Sequence, residues 1–285
     1  MDEAKTRNTV LSVRVDDATA GTLDLLVQAG LASSRSEAAA QLMAIGINAA
    51  TDLLAEARQL AVGLQRLRGN MLTAIKAKDV AAVRDLLDRT PALIHHTAED
   101  DETPVLLATY HGAQDITQLL LERGAELNLF EAAAVGDVER LRQLLDAEPA
   151  AIQAYSHDGW TLLHLAAHFG RQPAVEFLLA RAADVTAESR NAMTNLPLHA
   201  ALAGRRTAVA RLLIAHGSPV QARDSYGLTA LHHLAYSGDT ELAETVLAAG
   251  ADLDARDTAG RTALAIAREK EHTALAAILQ QHGAR

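Results

Sequence analysis

Residues 161–170 read TLLHLAAHFG, and the same order of residues returns as LPLHAALAGR at 196–205, LTALHHLAYSG at 228–238 and RTALAIAREKE at 261–271. Each copy is followed by a second apolar stretch and a turn of small residues: AVEFLLARAAD, AVARLLIAHGSP and LAETVLAAGAD. Comparable positions Asp137, Arg171, Arg206, Asp239 and His272 lie 34, 35, 33 and 33 residues apart. A steady period of this size predicts stacked helix pairs, because one pair cannot bury its apolar face without a neighbour. Where Thr starts a copy, as at Thr161, Thr229 and Thr262, its hydroxyl caps the first helix; Ala lets helices approach closely, and Gly ends the second helix.

Composition agrees with a stack of thin helices. Apolar residues make up 49% of the 285-residue chain but aromatics only 3%, so Ala, Leu and Val fill the core. With no cysteine, a disulfide framework, a thiolate zinc site and a cysteine nucleophile are excluded. The N-terminal MDEAKTRNTV is neither an apolar signal core nor an Arg-rich transit helix, and no apolar run nears membrane-spanning length. The expectation is a soluble cytoplasmic protein with no membrane partner. Residues 1–68 carry seven Lys/Arg against eight Asp/Glu, and the rest nineteen against twenty-eight, so only the N-terminal part tolerates a phosphate backbone.

The repeats resemble ankyrin repeats over residues 70–285, on the Thr-Pro-Leu-His signature matched by Thr161, Leu163 and His164, by Pro197, Leu198 and His199, and by Thr229, Leu231 and His232. Thr103-Pro104 marks a weaker copy. MLTAIKAKDVAAVRDLLDR (71–89) lacks the Thr-Pro start and suits an N-terminal cap, and RTALAIAREKE lacks the His and suits a C-terminal one. Ala113 to Asp137 spans only 24 residues, so one of the fingers that join successive pairs is expected to be missing between LLLERGAELN and LFEAAAVGDVERLRQLL.

No constellation points to catalysis: there is no nucleophile elbow, no phosphate-binding loop, and Asp100-Asp101 reads as a solvated loop. His164 and His168 stand four apart on one helix face, but His164 is the signature His and no third ligand has suitable spacing, so neither metal nor cofactor is expected. Recognition fits better, since stacked pairs expose a concave face of finger tips and first helices. The resemblance places Glu102, Tyr110, His111, His157, Trp160, His168, Phe169, Tyr226, Leu228 and Tyr236 there. Trp160 and Phe169 fall together in a chain with one Trp and three Phe, the make-up of a binding hot spot or of rings packed between fingers.

The N-terminal part differs. TVLSVRVDD (9–17) alternates as a strand, DATAGTLDLLVQAG (17–30) puts Ala20, Leu23, Leu26 and Val27 on one helix face with Gly30 as a stop, and Ser34-Arg35-Ser36-Glu37 has capping-box spacing. Strand, helix, turn and helix in about forty residues make too small a core to stand alone, and oligomerisation is the usual remedy. The order resembles the ribbon-helix-helix fold of prokaryotic repressors and antitoxins over residues 8–50. That resemblance implies a homodimer whose paired strands enter the major groove. Leu11, Val13 and Val15 would face the partner, with Val10, Ser12 and Arg14 toward DNA. Ser34, Arg35 and Ser36 would hold a phosphate at a helix start, with Lys5 and Arg7 adding backbone contacts. Over residues 51–69, Leu53, Ala57, Leu60, Leu64 and Leu67 step as in a two-stranded coil, and 36–68 reads as one helix broken at Gly69-Asn70. That seam alternatively packs on the first repeat of its own chain.

Together these readings predict a mainly α chain: a ribbon-helix-helix domain (8–50), a helical linker (51–69) and an α-solenoid of ankyrin repeats (70–285). The expected function is a dimeric prokaryotic DNA-binding transcriptional regulator, not an enzyme, whose array binds a protein. The alternative is a protein-interaction scaffold that uses its N-terminal unit only to dimerise.

Overall fold

The structure, a computed structural model, describes residues 17–45, 47–95 and 103–284. Among these residues the only β-pairing is an isolated bridge between Tyr155 and Thr161. Residues 1–16 lie outside the described residues, and with them all of the strand expected at 9–17 except Asp17, which opens a helix instead; Glu102 lies outside them too.

The chain opens with α1 (Asp17–Gln28), α2 (Arg35–Ile45) and α3 (Ile47–Lys76). Leu23 and Leu26 of α1 are buried, as the helical face predicts, and Gly30 leaves the helix at φ 72° with the amide of Leu31 on the carbonyl of Leu26. Ser34 Oγ accepts from the Glu37 amide at 3.2 Å, giving one half of the expected capping box. The other half moves one residue back: the Glu37 carboxylate takes the amide of Ser33 at 2.7 Å rather than that of Ser34.

Two expectations about the linker are corrected. The stretch 36–68 is not one helix, because α2 packs against α3, and α3 continues through Gly69-Asn70 to Lys76. Met71, Ala74 and Ile75 on its far end are buried in the array. Burying them outweighs the roughly 1 kcal/mol that a glycine costs inside a helix. The proposed seam is divided: Leu53 and Ala57 pack with Leu23, Leu26 and Ala38 in a small N-terminal core, Leu67 joins the array core, and Leu60 between them is exposed.

From the end of α3 onward helices come in pairs. The end of α3 pairs with α4 (Val80–Arg89), followed by α5 (Pro104–Tyr110) with α6 (Gln114–Glu122), α7 (Leu129–Val135) with α8 (Val138–Ala147), and α9 (Leu162–His168) with α10 (Gln172–Ala180). Next come α11 (Pro197–Ala203) with α12 (Thr207–Ala215), α13 (Ala230–Ser237) with α14 (Ala243–Ala248), and α15 (Ala263–Glu269) with α16 (Thr273–Gln281). First helices stack on first helices from α3 to α15, and α10 lies between α8 and α12 in the second layer. One continuous core runs from Met71 to Leu279, with Ala108, Ala133, Ala166, Ala201, Ala235 and Ala267 buried at the close approaches.

Caps follow the repeat chemistry. Thr103 Oγ1 accepts from the Leu106 amide at 3.1 Å with Pro104 in the first turn, and Thr262 accepts from Ala265 at 3.3 Å. The fingers that lead into α11, α13 and α15 tile by backbone bonds: Arg190 N–H to Gly159 O (2.8 Å), Ser225 N–H to Met193 O (2.9 Å) and Thr258 N–H to Tyr226 O (3.0 Å). Between α6 and α7 no finger forms; the chain turns at Gly124 and enters α7 directly through Asn128, as the shortened spacing predicts.

Candidate protein-binding face

The signature histidines are structural. Nδ1 of His164 faces the Thr161 amide (3.3 Å) and hydroxyl (2.8 Å), so it accepts, and its Nε2–H donates to Asn195 O at 2.9 Å. His199 repeats this between the Leu196 amide (3.1 Å) and Ala222 O (3.2 Å), and His232 between Thr229 and Arg261 O (3.1 Å). Each imidazole thus ties its own helix start to the next finger. Burial pushes His164 and His199 down to about 4 and lowers His232 as well, so near neutral pH these bonds are made by neutral rings. With both nitrogens of His164 engaged, the pair His164 and His168 has no shared open side for a ligand.

Finger turns are held by acids that the sequence reading did not single out. Asp224 Oδ1 accepts from the amides of Tyr226 and Leu228, both at 2.9 Å, and Asp257 Oδ1 from those of Ala259 (2.9 Å) and Arg261 (2.8 Å). The signal was present as Asp224-Ser-Tyr-Gly227 and Asp257-Thr-Ala-Gly260, one period apart.

On the face made by fingers and first helices, the structure brings several expected residues into one row. The Tyr110 hydroxyl donates to Asp158 Oδ2 at 2.8 Å, and its ring meets Phe169 edge-on at 5.1 Å between centroids. Phe169 meets His168 at 4.9 Å, and His168 meets Trp160 at 5.1 Å. Tyr110 belongs to the α5 pair and Asp158 to the finger before α9, two pairs on. The missing finger before α7 leaves that slot open, and Tyr110 crosses it. Trp160, His168 and Phe169 are half-buried, and Nδ1 of His168 is buried with no hydrogen-bond partner among the described residues. Burial lowers the pKa of His168, opposed by the nearby Ala200 carbonyl and helped by a smaller push from Arg206.

The remaining expected residues are spread along the face. His111 and His157 are exposed, Tyr226 is 59% exposed on its finger, and Leu228 is half-buried beside it. Tyr236 is engaged: its hydroxyl accepts from Arg261, whose guanidinium lies 5.7 Å from the ring centroid, and Lys270 stands 5.9 Å away on the same ring. Of the residues expected to meet DNA, Lys5, Arg7, Val10, Ser12 and Arg14 lie outside the described residues, while Ser34, Arg35 and Ser36 are exposed. Arg35 is committed within the chain: its guanidinium forms a two-point pair with Asp24 of α1, one arm at 2.5 Å.

At the opposite end of the first helices, long cations cover helix ends. Arg171 Nε donates to Ala134 O at 2.8 Å and Arg206 Nε to His168 O at 3.0 Å, each crossing a left-handed glycine, Gly136 or Gly170. Gly170 stands at φ 71°, where a side chain is strained, and a methyl group on it would also meet Arg206 Cδ at 2.7 Å.

Among the described residues no helix is long and apolar enough to cross a membrane. The family model for ankyrin repeats, in three copies, matches residues 129–224 and 188–257. The chain is 44% identical over 89 residues to a probable E3 ubiquitin-protein ligase, XBOS31, of Oryza sativa subsp. japonica, covering 31% of this chain and 20% of that protein. It is 30% identical over 149 residues to ankyrin repeat and SAM domain-containing protein 6 of Rattus norvegicus, covering 52% and 14%. It is 36% identical over 100 residues to the serine/threonine-protein kinase VIK of Arabidopsis thaliana, covering 33% and 22%. The matched part is thus about a fifth or less of these relatives' lengths. Across residues 129–257, the helix pairs of this chain are ankyrin repeats.

Proposed function

We propose that the chain is a protein-interaction scaffold whose ankyrin array takes a protein partner along its fingers and first helices. The observation that carries this reading is the aromatic row from Tyr110 through Phe169 and His168 to Trp160. It sets four rings edge to edge along the fingers and first helices, with Tyr110 exposed and Trp160, His168 and Phe169 half-buried beside it. The regulator reading is set aside because no observation favours it: its strand lies outside the described residues, and the Arg35 guanidinium is paired with Asp24 at the surface.

The test is site-specific photocrosslinking in the producing cell. A photoreactive residue in place of Tyr226 or Tyr110 is expected to give a discrete adduct, whereas one in place of Leu86 on α4 gives none. Equal adducts at all three positions would exclude the face as the binding surface.

A further inference from the structure

The row of cations at the starts of the second helices is interrupted twice, at Asp239, which takes the Thr207 hydroxyl at 3.0 Å, and at Asp137. Arg171, Arg206 and His272 reach back across a glycine toward the preceding first helix, but Asp137, at the same position before α8, turns onto its own helix and accepts the Arg140 amide at 2.9 Å. An aspartate is too short to cover the α5–α6 turn. Beside that turn is an open cleft of about 270 Å³ whose lining includes Gln114, Thr117, Gln118, Phe169, Arg171 and Arg206.

No Asp or Glu lines this cleft, although the chain carries a net charge of −10. Asp115, in the first turn of α6, lines the adjoining cleft with Lys78 instead. Arg171 and Arg206 each commit Nε to a helix-end carbonyl, and among the described residues no carboxylate pairs with either guanidinium. Burial, with Arg206 as a like-charged neighbour, lowers the pKa of Arg171. Two guanidiniums sharing a concave site are suited to an oxyanion, which accepts charge-assisted bonds from both. Phe169 belongs to this lining and to the aromatic row, so the cleft is continuous with the face described above.

We infer that this cleft holds an anionic side chain of a peptide partner, a carboxylate or a phosphoryl group, between Arg171 and Arg206, while the neighbouring apolar residues of that peptide lie on Phe169 and Tyr110. The inference rests on the protein-binding reading of the face and supplies the partner's charge.

The experiment uses the full chain and three leucine-containing peptides that differ only at a central pair of residues, set to Glu, phosphoserine or Gln. The readout is the NMR signal of the Arg171 and Arg206 Nε–H groups during titration. Glu or phosphoserine peptides are expected to move both signals saturably, at least tenfold more tightly than the Gln peptide. The tighter of the two names the anion. Arg206→Gln and, separately, Arg171→Gln should remove that advantage while leaving the Gln peptide unchanged, with thermal unfolding confirming that each variant is folded. Equal binding of charged and neutral peptides, no saturable shift, or charge-dependent binding unchanged in both arginine variants would overturn the inference. Trp160→Ala separates the two readings. If it weakens all three peptides alike while charge makes no difference, the face stands and the anion site falls. If charge-dependent binding survives it and Tyr110→Ala unchanged, the cleft binds anions but its assignment to a peptide on this face is overturned.

Discussion

At the third residue of its first helix, the pair that starts at Asn128 carries Glu131, whereas the pairs that follow carry His164, His199 and His232. Both types close the helix start on themselves, but their outward bonds run in opposite directions. Glu131 accepts from the Thr103 hydroxyl, 28 residues earlier, while His164 donates to Asn195, 31 residues later. A carboxylate can only accept, so it must find a donor, and the preceding Thr supplies one. A neutral imidazole has an N–H to give, and the carbonyl of the next finger takes it. The histidine steps therefore hold the finger ahead of them. The Glu131 step does not, and the finger at 155–161 is steadied from two pairs back by Tyr110.

The largest effect should come from acid. His164 and His199 have folded pKa values near 4 against about 6.5 when unfolded, so protons bind the unfolded chain first as pH falls. Their stabilisation is complete above pH 6.5 and is lost between 6.5 and 4, by roughly 3 kcal/mol for each ring at pH 4. Hydrogen exchange followed over that range should show α9 to α13 losing protection before α3 to α5. The opposite order would break the contrast between the two kinds of step.

Substitution sharpens it further. His164→Ala strands a buried carbonyl and opens a void, at roughly 3 kcal/mol, while Glu131→Gln keeps most of its bonds and costs about 1 kcal/mol. Urea unfolding of both chains compares them directly, and a larger loss at Glu131 would reverse the assignment of weight. Next in size is Gly159→Ala: φ is 79° and the new methyl would meet the Arg190 backbone at 2.7 Å, so about 2 kcal/mol is expected. Gly124→Ala, at φ 87° with open space around it and no finger to follow, should cost about 1 kcal/mol. Smallest is Tyr110→Phe, which removes one exposed hydroxyl bond to Asp158 and should change stability by less than about 1 kcal/mol.

Much of this was legible in the sequence because repetition converts distance in space into spacing in the chain. The Thr-x-x-His copies announce the helix pairs, and the 24 residues from Ala113 to Asp137 announce the absent finger. What escaped depends on contacts that no period encodes. Tyr110 and Asp158 are 48 residues apart, and nothing in either segment names the other. Arg35 reads as a free cation until α1 and α2 pack and bring Asp24 beside it. Gly69-Asn70 reads as a helix break because local preference is all a short window shows, and the burial of Met71 and Ile75 that overrides it arises only with α4 and α5 in place. Asp137, Arg171 and Arg206 mark the period correctly, yet their difference in side-chain length, which opens the cleft, matters only once the pairs are stacked.

The helix α3 belongs to two cores at once, through Ala57 at one place and Met71 at the other, fourteen residues further on and so about 21 Å along its axis. It therefore acts as a keyed shaft. Inserting a single residue near Gly63 would turn the N-terminal core by about 100° relative to the array, while three or four residues would nearly restore the angle. The orientation of whatever the first forty residues hold is set by a count of residues in a stretch whose side chains mostly face water.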